Sequence, residues 1–310
     1  MTKVFIDGSA GTTGLRLYER LSARSDVEIN VLTGEDRKDP VARHHALNSC
    51  DIAFLCLPDD ASREAVAMTE NEDVVIIDTS TAHRTAKGWA YGFPELSPSH
   101  RAKLEASHRI AVPGCHASGF ISLVYPLVAN GIISKSTPLS CFSVTGYSGG
   151  GKKMIAEYES EERDALLSAP RQYGIAQHHK HLPEMKAVCG LDAQPVFCPV
   201  VADFYSGMEV TVPLFARDLA NGYGAKDIKE IYKSIYNTPL VKYNECSDEA
   251  GFMSAAALSG KDTMEISVAG CDERILLISR FDNLGKGASG AAIQCLNVKL
   301  GLPDDFSLEL

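Results

Sequence analysis

Apolar positions in the first third of the chain fall into short unbroken runs separated by segments of helical spacing. Val4-Phe5-Ile6 predicts a strand, Thr13 to Arg24 a helix with Leu15, Leu17 and Leu21 partly on one side, and Val27 to Leu32 a second strand. The order then repeats: Val41 to Leu47 reads as a weaker helix, Ile52 to Leu57 as a wholly apolar strand, Ala61 to Met68 as a helix and Val74 to Ile77 as another apolar strand. Short apolar runs without alternation suit strands covered on both faces. This β-α alternation predicts an α/β fold with a doubly wound parallel sheet.

The texture changes from about residue 117. Leu139 to Thr145, Val196 to Ala202, Met208 to Leu214, Met264 to Val268 and Ile275 to Phe281 read as longer strands with fewer helices between them. They predict an α+β domain with a mostly antiparallel sheet. Ala288 to Leu300 reads as helix again and is expected to pack back on the first domain. The 310 residues give room for two domains at roughly 150 residues each.

Between the first strand and first helix lies Gly8-Ser9-Ala10-Gly11-Thr12-Thr13-Gly14, a G-x-x-G-x-x-G turn. Glycines permit positive φ and close approach of a pyrophosphate, and the free N–H groups of the helix start supply an anion site. A tight turn without a ligand would use glycine too, but the position at the head of a repeating β-α unit favours a dinucleotide. The second strand leads into Thr33-Gly34-Glu35-Asp36-Arg37-Lys38. Thr33 stands where a ribose-binding acid is usual, and Arg37 and Lys38 suit a 2′-phosphate, which favours NADP. Glu35 lies about 20 residues beyond the glycines, where an NAD-type acid is also counted.

Charge and composition narrow the partners. Thirty Lys and Arg against forty Asp and Glu give −10, with no basic block, so a nucleic-acid footprint is not expected. The longest apolar stretch, Gly119 to Ile133, is broken by Pro126 and Asn130 and falls short of the ~20 residues of a membrane span. The start, Lys3-Val4-Phe5-Ile6-Asp7, has no export-signal pattern, so a cytoplasmic protein is expected. Nine scattered cysteines with no C-x-x-C pair indicate neither a disulfide framework nor a zinc site, and most are expected to be inert buried thiols.

Cys115 differs from the other eight. In Ile110-Ala111-Val112-Pro113-Gly114-Cys115-His116-Ala117-Ser118-Gly119 it follows an apolar strand and a Pro-Gly turn at an apparent helix start. Such a start stabilises a thiolate and offers N–H groups to an oxyanion, which makes Cys115 the candidate nucleophile. Downstream, His178, His179 and His181 cluster with Glu184. An imidazole titrating near neutrality suits thiol activation and later proton return. A metal site is the competing reading, but no second ligand cluster accompanies it, and no metal is expected.

Taken in order, the glycine turn, Ser80-Thr81-Ala82-His83-Arg84, Pro113-Gly114-Cys115, Tyr147-Ser148-Gly149-Gly150-Gly151-Lys152, His179-Lys180-His181-Leu182-Pro183-Glu184 and Asn283-Leu284-Gly285-Lys286-Gly287-Ala288 resemble the shorter variety of the N-acetyl-gamma-glutamyl-phosphate reductase family, within the semialdehyde dehydrogenase superfamily. The resemblance spans essentially the whole chain. One departure is that the family's commoner motif has an aromatic residue after the cysteine and Thr two positions later, where this chain has His116 and Ser118.

The resemblance implies NADPH-dependent reductive dephosphorylation of N-acetyl-L-glutamyl 5-phosphate through a Cys115 thioester, with His181 as base, in arginine biosynthesis. It implies substrate contacts from Arg84, Ser148, Lys152, His179 and Glu184. Cofactor contacts are expected from Gly8, Ser9, Ala10, Gly11, Thr12, Thr13, Gly14, Thr33, Arg37 and Lys38, and near the nicotinamide from Asn283 and Lys286. The expected division is a Rossmann-type NADP-binding domain over 1–116, completed by a C-terminal helix in 287–310. The rest, 117–286, is a catalytic and oligomerisation domain like the C-terminal domain of glyceraldehyde-3-phosphate dehydrogenase, giving a homodimer or homotetramer. A related enzyme such as aspartate-semialdehyde dehydrogenase would use the same thiolate, histidine and cofactor. A nucleotide-binding regulator would need neither Cys115 nor His181.

Overall fold

The computed structural model describes all 310 residues, and the chain divides into two compact units. The first comprises Met1–Pro94, Pro98–Pro113 and Ala288–Leu308; the second comprises Glu95–Ser97, Gly114–Gly287 and Glu309–Leu310.

The first unit is built from β1 (Thr2–Asp7), α1 (Thr12–Ser22), β2 (Val27–Asn30), α2 (Pro40–Ser49), β3 (Ile52–Leu55), α3 (Asp59–Met68), β4 (Val75–Asp78), β5 (Ala90–Tyr91), α4 (Pro98–Ala106) and β6 (Arg109–Ala111). All six strands are parallel, in the order β2-β1-β3-β4-β6-β5. Alternate residues of one strand enter different cores. Val4 and Ile6 pack with Ile52, Phe54, Leu17 and Leu21, whereas Phe5 packs with Ala53, Leu55, Ala46 and Leu47 on the other face. Burial on both faces is why these strands lack polar alternation. Helix α1 buries Gly14, Leu17 and Leu21 and leaves Leu15 exposed, so the inward stripe excludes the first leucine of the expected face.

The second unit contains α5 (Cys115–Ala129), β7 (Ser140–Gly146), α6 (Gly151–Glu159), β8 (Arg171–Gln172), α7 (Leu182–Cys189), β9 (Val196–Ala202), β10 (Met208–Phe215), α8 (Ala225–Ile235), β11 (Val241–Tyr243), β12 (Met264–Gly270) and β13 (Arg274–Phe281). Its seven strands run in the order β11-β12-β13-β10-β7-β9-β8. Pairing is antiparallel except for β11 with β12 and β7 with β9. One face carries apolar side chains that stay accessible: Phe142, Val196, Phe215 and Leu276 are 45%, 58%, 48% and 38% exposed. The chain then returns to the first unit as α9 (Gly290–Lys299), whose Ala291, Ala292, Ile293, Leu296 and Val298 fill the core beside Val4 and Ile6.

Helix α5 is apolar on nearly all sides and buried, and it continues through Pro126, where the apolar run was expected to break. Proline has no N–H to give the carbonyl four residues earlier, that of Ser122. The Tyr236 hydroxyl donates to that carbonyl instead, and Tyr232 donates to the neighbouring Leu123 carbonyl. A foreign donor thus repairs the gap in the helix. At 15 residues α5 is too short to cross a bilayer, and no helix of the structure is long and apolar enough to do so.

Removing that donor exposes the defect. Tyr236→Phe leaves the Ser122 carbonyl buried without its partner and is expected to lower stability by about 1–3 kcal/mol, measured by urea unfolding. Pro126→Ala restores an N–H at that place and is expected to recover part of the loss in the double variant; equal stability of Tyr236→Phe and wild type would refute the repair.

Candidate active site

Within the first unit the glycine turn sits at the C-terminal edge of the parallel sheet, between β1 and β3, where the strand order reverses. Gly8 has φ +88°, and a Cβ there would stand 2.3 Å from the Cys56 carbonyl oxygen; a Cβ on Gly14 would stand 2.3 Å from the Gly8 oxygen. Only glycine fits either place. Gly11 caps α1 with no side-chain hydrogen bond, and the first turn carries no acid, so its N–H groups have no side-chain acceptor. A Cβ on Gly11 would make only ordinary contacts, 3.5 Å from the Gly8 oxygen at the nearest, so this position does not require glycine sterically. Ser9, Ala10, Thr12 and Thr13 complete the loop around it. A glycine cradle with an uncapped helix start fits a dinucleotide pyrophosphate.

Beyond β2, Thr33 and the tight turn Gly34–Lys38 are exposed. The Arg37 guanidinium donates to the Gly34 carbonyl at 3.3 Å, and Lys38 lies free of the core. Arg84 is anchored more firmly, donating to the Val112 carbonyl at 2.9 Å and the Thr79 carbonyl at 3.0 Å. The segment leading to it hangs from Asp78, which is fully buried. That carboxylate accepts from Ser62 Oγ, the Ser80 N–H and the Ser80 hydroxyl, and lies 2.6 Å from His83 Nδ1. His83 stacks on Trp89 with centroids 4.1 Å apart.

The second unit begins at the cysteine. Cys115 opens α5, whose capping residue Gly114 provides no side chain. The Gly114 N–H donates to Glu184 Oε1 at 2.9 Å. Glu184 is itself buried, in the first turn of α7, and His181 is the residue that caps that helix. One bond therefore ties the two helix starts that carry Cys115 and His181. A Cβ on Gly287 would stand 3.0 Å from Cys115 Cβ, so the π-helical turn Gly285–Ser289 approaches the thiol through bare backbone.

Around this point the rings of His116, His179 and His181 gather, with centroid separations of 5.6, 5.6 and 4.8 Å. The His181 N–H donates to His179 Nδ1, which fixes that nitrogen as unprotonated. Burial, reinforced by Lys180, pushes the His179 imidazole down to about 4. Burial, reinforced by His179 and Lys180, pushes His116 down to about 3. Tyr173 is nearby, its phenol raised by burial and by the charge of Cys115.

Several expected ligand residues have protein partners. Asn283 accepts from the Gly207 N–H with Oδ1 and donates to Ser148 Oγ with Nδ2, at 2.9 and 3.0 Å. The Lys286 ammonium bonds Glu95 at 2.7 Å, with both side chains 3% exposed. Lys152 instead is exposed in the first turn of α6. His178 is exposed as well.

Sequence reasoning did not find His116, Ser143 and Tyr173 as parts of this cluster. A signal existed for Ser143, a polar residue at an inward position of β7. The cysteine expectation also needs correction: Cys246 and Cys271 are exposed, and backbone N–H groups of Glu273 and Arg274 lower the Cys271 thiol. Cys50 and Cys56, by contrast, are pushed up by burial to about 11 and about 12.

Comparison with known proteins follows the same division. Residues 3–104 match the family model described as "Semialdehyde dehydrogenase, NAD binding domain", and residues 115–283 match "Semialdehyde dehydrogenase, dimerisation domain". The fold agrees: an aspartate semialdehyde dehydrogenase II from Vibrio cholerae superposes with a TM-score of 0.72 at 16% identity, covering 97% of this chain and 98% of that one. The Candida albicans aspartate semialdehyde dehydrogenase gives 0.67 at 13%, covering 98% and 99%. Fold and matched domains thus define the semialdehyde dehydrogenase class.

Relatives in sequence are more specific. N-acetyl-gamma-glutamyl-phosphate reductase 2 of a Nostoc species is 43% identical over 99% of both chains. The Sinorhizobium fredii reductase is 44% identical over 96% of this chain and 98% of its own, and the Pseudomonas putida reductase 2 is 41% identical over 96% of each. The chain belongs to the N-acetyl-gamma-glutamyl-phosphate reductase family.

The depressed His116 value has a consequence for stability. In the unfolded chain this imidazole takes a proton near pH 6.5, whereas in the folded protein it waits until about 3. Between those values the unfolded state binds the extra proton, so stability falls as pH falls. From pH 7 to pH 5 His116 alone is expected to remove about 2 kcal/mol. Urea unfolding at the two pH values should show a loss smaller by about 2 kcal/mol in His116→Phe than in wild type, the part due to His179 persisting in both; identical pH dependence would mean that His116 is not held neutral.

Proposed function

We propose that the chain reduces N-acetyl-L-glutamyl 5-phosphate with NADPH, releasing N-acetyl-L-glutamate 5-semialdehyde and phosphate, as a cytoplasmic enzyme of arginine biosynthesis. The observation that carries the reading is the near-full-length similarity to reductases of that name. The tie between the helix starts of Cys115 and His181 supports it. The first unit is read as the NADP-binding domain and the second as the catalytic and oligomerisation domain.

His181 takes the proton of the Cys115 thiol, and the thiolate attacks the acyl carbon. The carbon–oxygen bond to phosphate breaks, phosphate leaves with the electron pair, and a thioester remains on Cys115. N–H groups at the start of α5 receive the carbonyl oxygen as it gains charge. The glycine turn, with Thr33, Arg37 and Lys38 beside the ribose, would hold NADPH, which would supply the hydride needed to take the thioester to a thiohemiacetal. His181 protonates the new alkoxide, then removes that proton as the carbon–sulfur bond breaks and the aldehyde departs.

Arg84, with its guanidinium braced by two carbonyls, suits an anionic group of the substrate. Ser148, Lys152 and His179 are read as further substrate contacts. For Glu184, Asn283 and Lys286 the internal partners support a holding role: Glu184 for the start of α5, Asn283 for Ser148, and Lys286 for the π-helical turn. The accessible apolar face of the second unit's sheet supports assembly of two or four copies.

Phosphate-dependent formation of NADPH from N-acetylglutamate semialdehyde tests the reading. Wild type is expected to turn over this substrate in preference to aspartate semialdehyde, and NADP in preference to NAD. Cys115→Ser is expected to lose roughly 10⁴-fold or more. Turnover of aspartate semialdehyde alone would replace the substrate assignment, and NADP binding without any turnover would favour a regulator. For the assembly, light scattering of Phe142→Asp/Leu276→Asp should show a smaller species than wild type; an unchanged mass would clear that face of the role.

A further inference from the structure

The residue after Cys115 is the place where this chain departs from the commoner family motif, and its surroundings are unusually complete. His116 is buried. Its Nδ1 lies 2.7 Å from Ser143 Oγ on β7, and its Nε2 lies 2.6 Å from the Tyr173 hydroxyl in the segment that leads to α7. The ring meets Phe197 of β9 edge-on at 5.2 Å and faces the rings of His179 and His181. One imidazole, on the residue that follows the one carrying the thiol, thus touches β7, β9 and the histidine segment at once.

We propose that His116 is a positioning residue for this reaction: clamped between Ser143 and Tyr173, it fixes the imidazoles of His179 and His181 against the first turn of α5 and so sets where His181 stands relative to the Cys115 thiol. The proposal rests on the reading of Cys115 and His181 as the reacting pair.

A neutral imidazole has one donor nitrogen and one acceptor nitrogen, and hydroxyls can complement both. Here each nitrogen has its hydroxyl. Turning the ring over would put carbon where Ser143 and Tyr173 need a partner, so the orientation is fixed. The groups facing His116 are Cys115 on its own helix, Tyr173, His179, Lys180 and His181 from the preceding segment, and the uncharged Ser143 and Phe197 from the sheet. Glu184 is engaged by Gly114 N–H. Burial among these groups keeps His116 uncharged at neutral pH, so it holds its neighbours without competing for the transferred proton. An ångström of misplacement between base and nucleophile costs about 100-fold in rate, which is the scale on which such a clamp acts.

The test uses the full chain carrying Cys246→Ser and Cys271→Ser, so that the exposed thiols do not compete. The pH dependence of iodoacetamide alkylation at Cys115 is followed at peptide level, alongside kcat and KM. His116→Phe keeps a ring in place and deletes both hydrogen bonds. It is expected to raise the alkylation midpoint by about one pH unit and to lower kcat about 10- to 100-fold, with KM for NADPH unchanged. His116→Gln, which retains a polar atom toward Tyr173, is expected to recover part of both.

A folded His116→Phe with wild-type midpoint and kcat overturns the proposal. Should that variant not fold, Tyr173→Phe and Ser143→Ala cut the same bonds from the other side; a raised midpoint in either supports the clamp, and wild-type midpoints in both overturn it. Wild-type Cys115 that alkylates no more readily than an ordinary thiol overturns the underlying reading of the pair, and the clamp with it.

Discussion

In the second unit the two helix starts that carry Cys115 and His181 are joined through a single buried carboxylate. Glu184 lies out of water, where a charge must be matched by donors or be costly. It meets that demand at two helix starts: it belongs to the first turn of α7, and it accepts the N–H of Gly114, the residue capping α5. Each helix start carries partial positive charge, so one anion stabilises both and holds them together. Cys115 is the next residue on one side and His181 the cap on the other. Because Glu184 takes the Gly114 N–H, the N–H groups of α5 left for a ligand are those that follow it.

Internal partners also occupy much of the remaining polar interior. By residue type alone, Asp78 of the first unit and Asn283 and Lys286 of the second resemble groups that await a ligand. In the fold, Asp78 holds the Ser80–His83 segment, Asn283 ties Gly207 to Ser148, and Lys286 pairs with Glu95 where neither meets solvent. Each of the three is thus engaged by groups of its own unit. Arg84, Lys152, Arg37 and Lys38, by contrast, are all at least partly exposed.

Legibility in the sequence followed the range of the interactions. The β-α alternation of the first unit was readable because strands buried on both faces produce unbroken apolar runs, and the glycine turn because Gly8 and Gly14 are the only residues those contacts admit. Helix α8 was not anticipated, although Ile228 and Tyr232 are its buried pair four residues apart; its polar majority disguised it. Pro126 signalled a break, and the repair comes from the Tyr236 hydroxyl, 114 positions along the chain from the carbonyl it meets. Likewise the histidine cluster joins residues from α5, β7, β9 and the segment before α7, and no local pattern shows that Tyr173 and Ser143 meet one imidazole.

That cluster also decides which group carries the proton in the proposed reaction. Three imidazoles lie within one ring's reach of each other, and a buried cluster cannot accept several positive charges. His116 and His179 are held neutral down to about 3 and about 4, so across the neutral range neither takes the thiol proton. His181 is the third ring of the cluster and caps α7, so in the proposed reaction the proton-carrying role falls to it by exclusion, and the two neutral histidines wall it in.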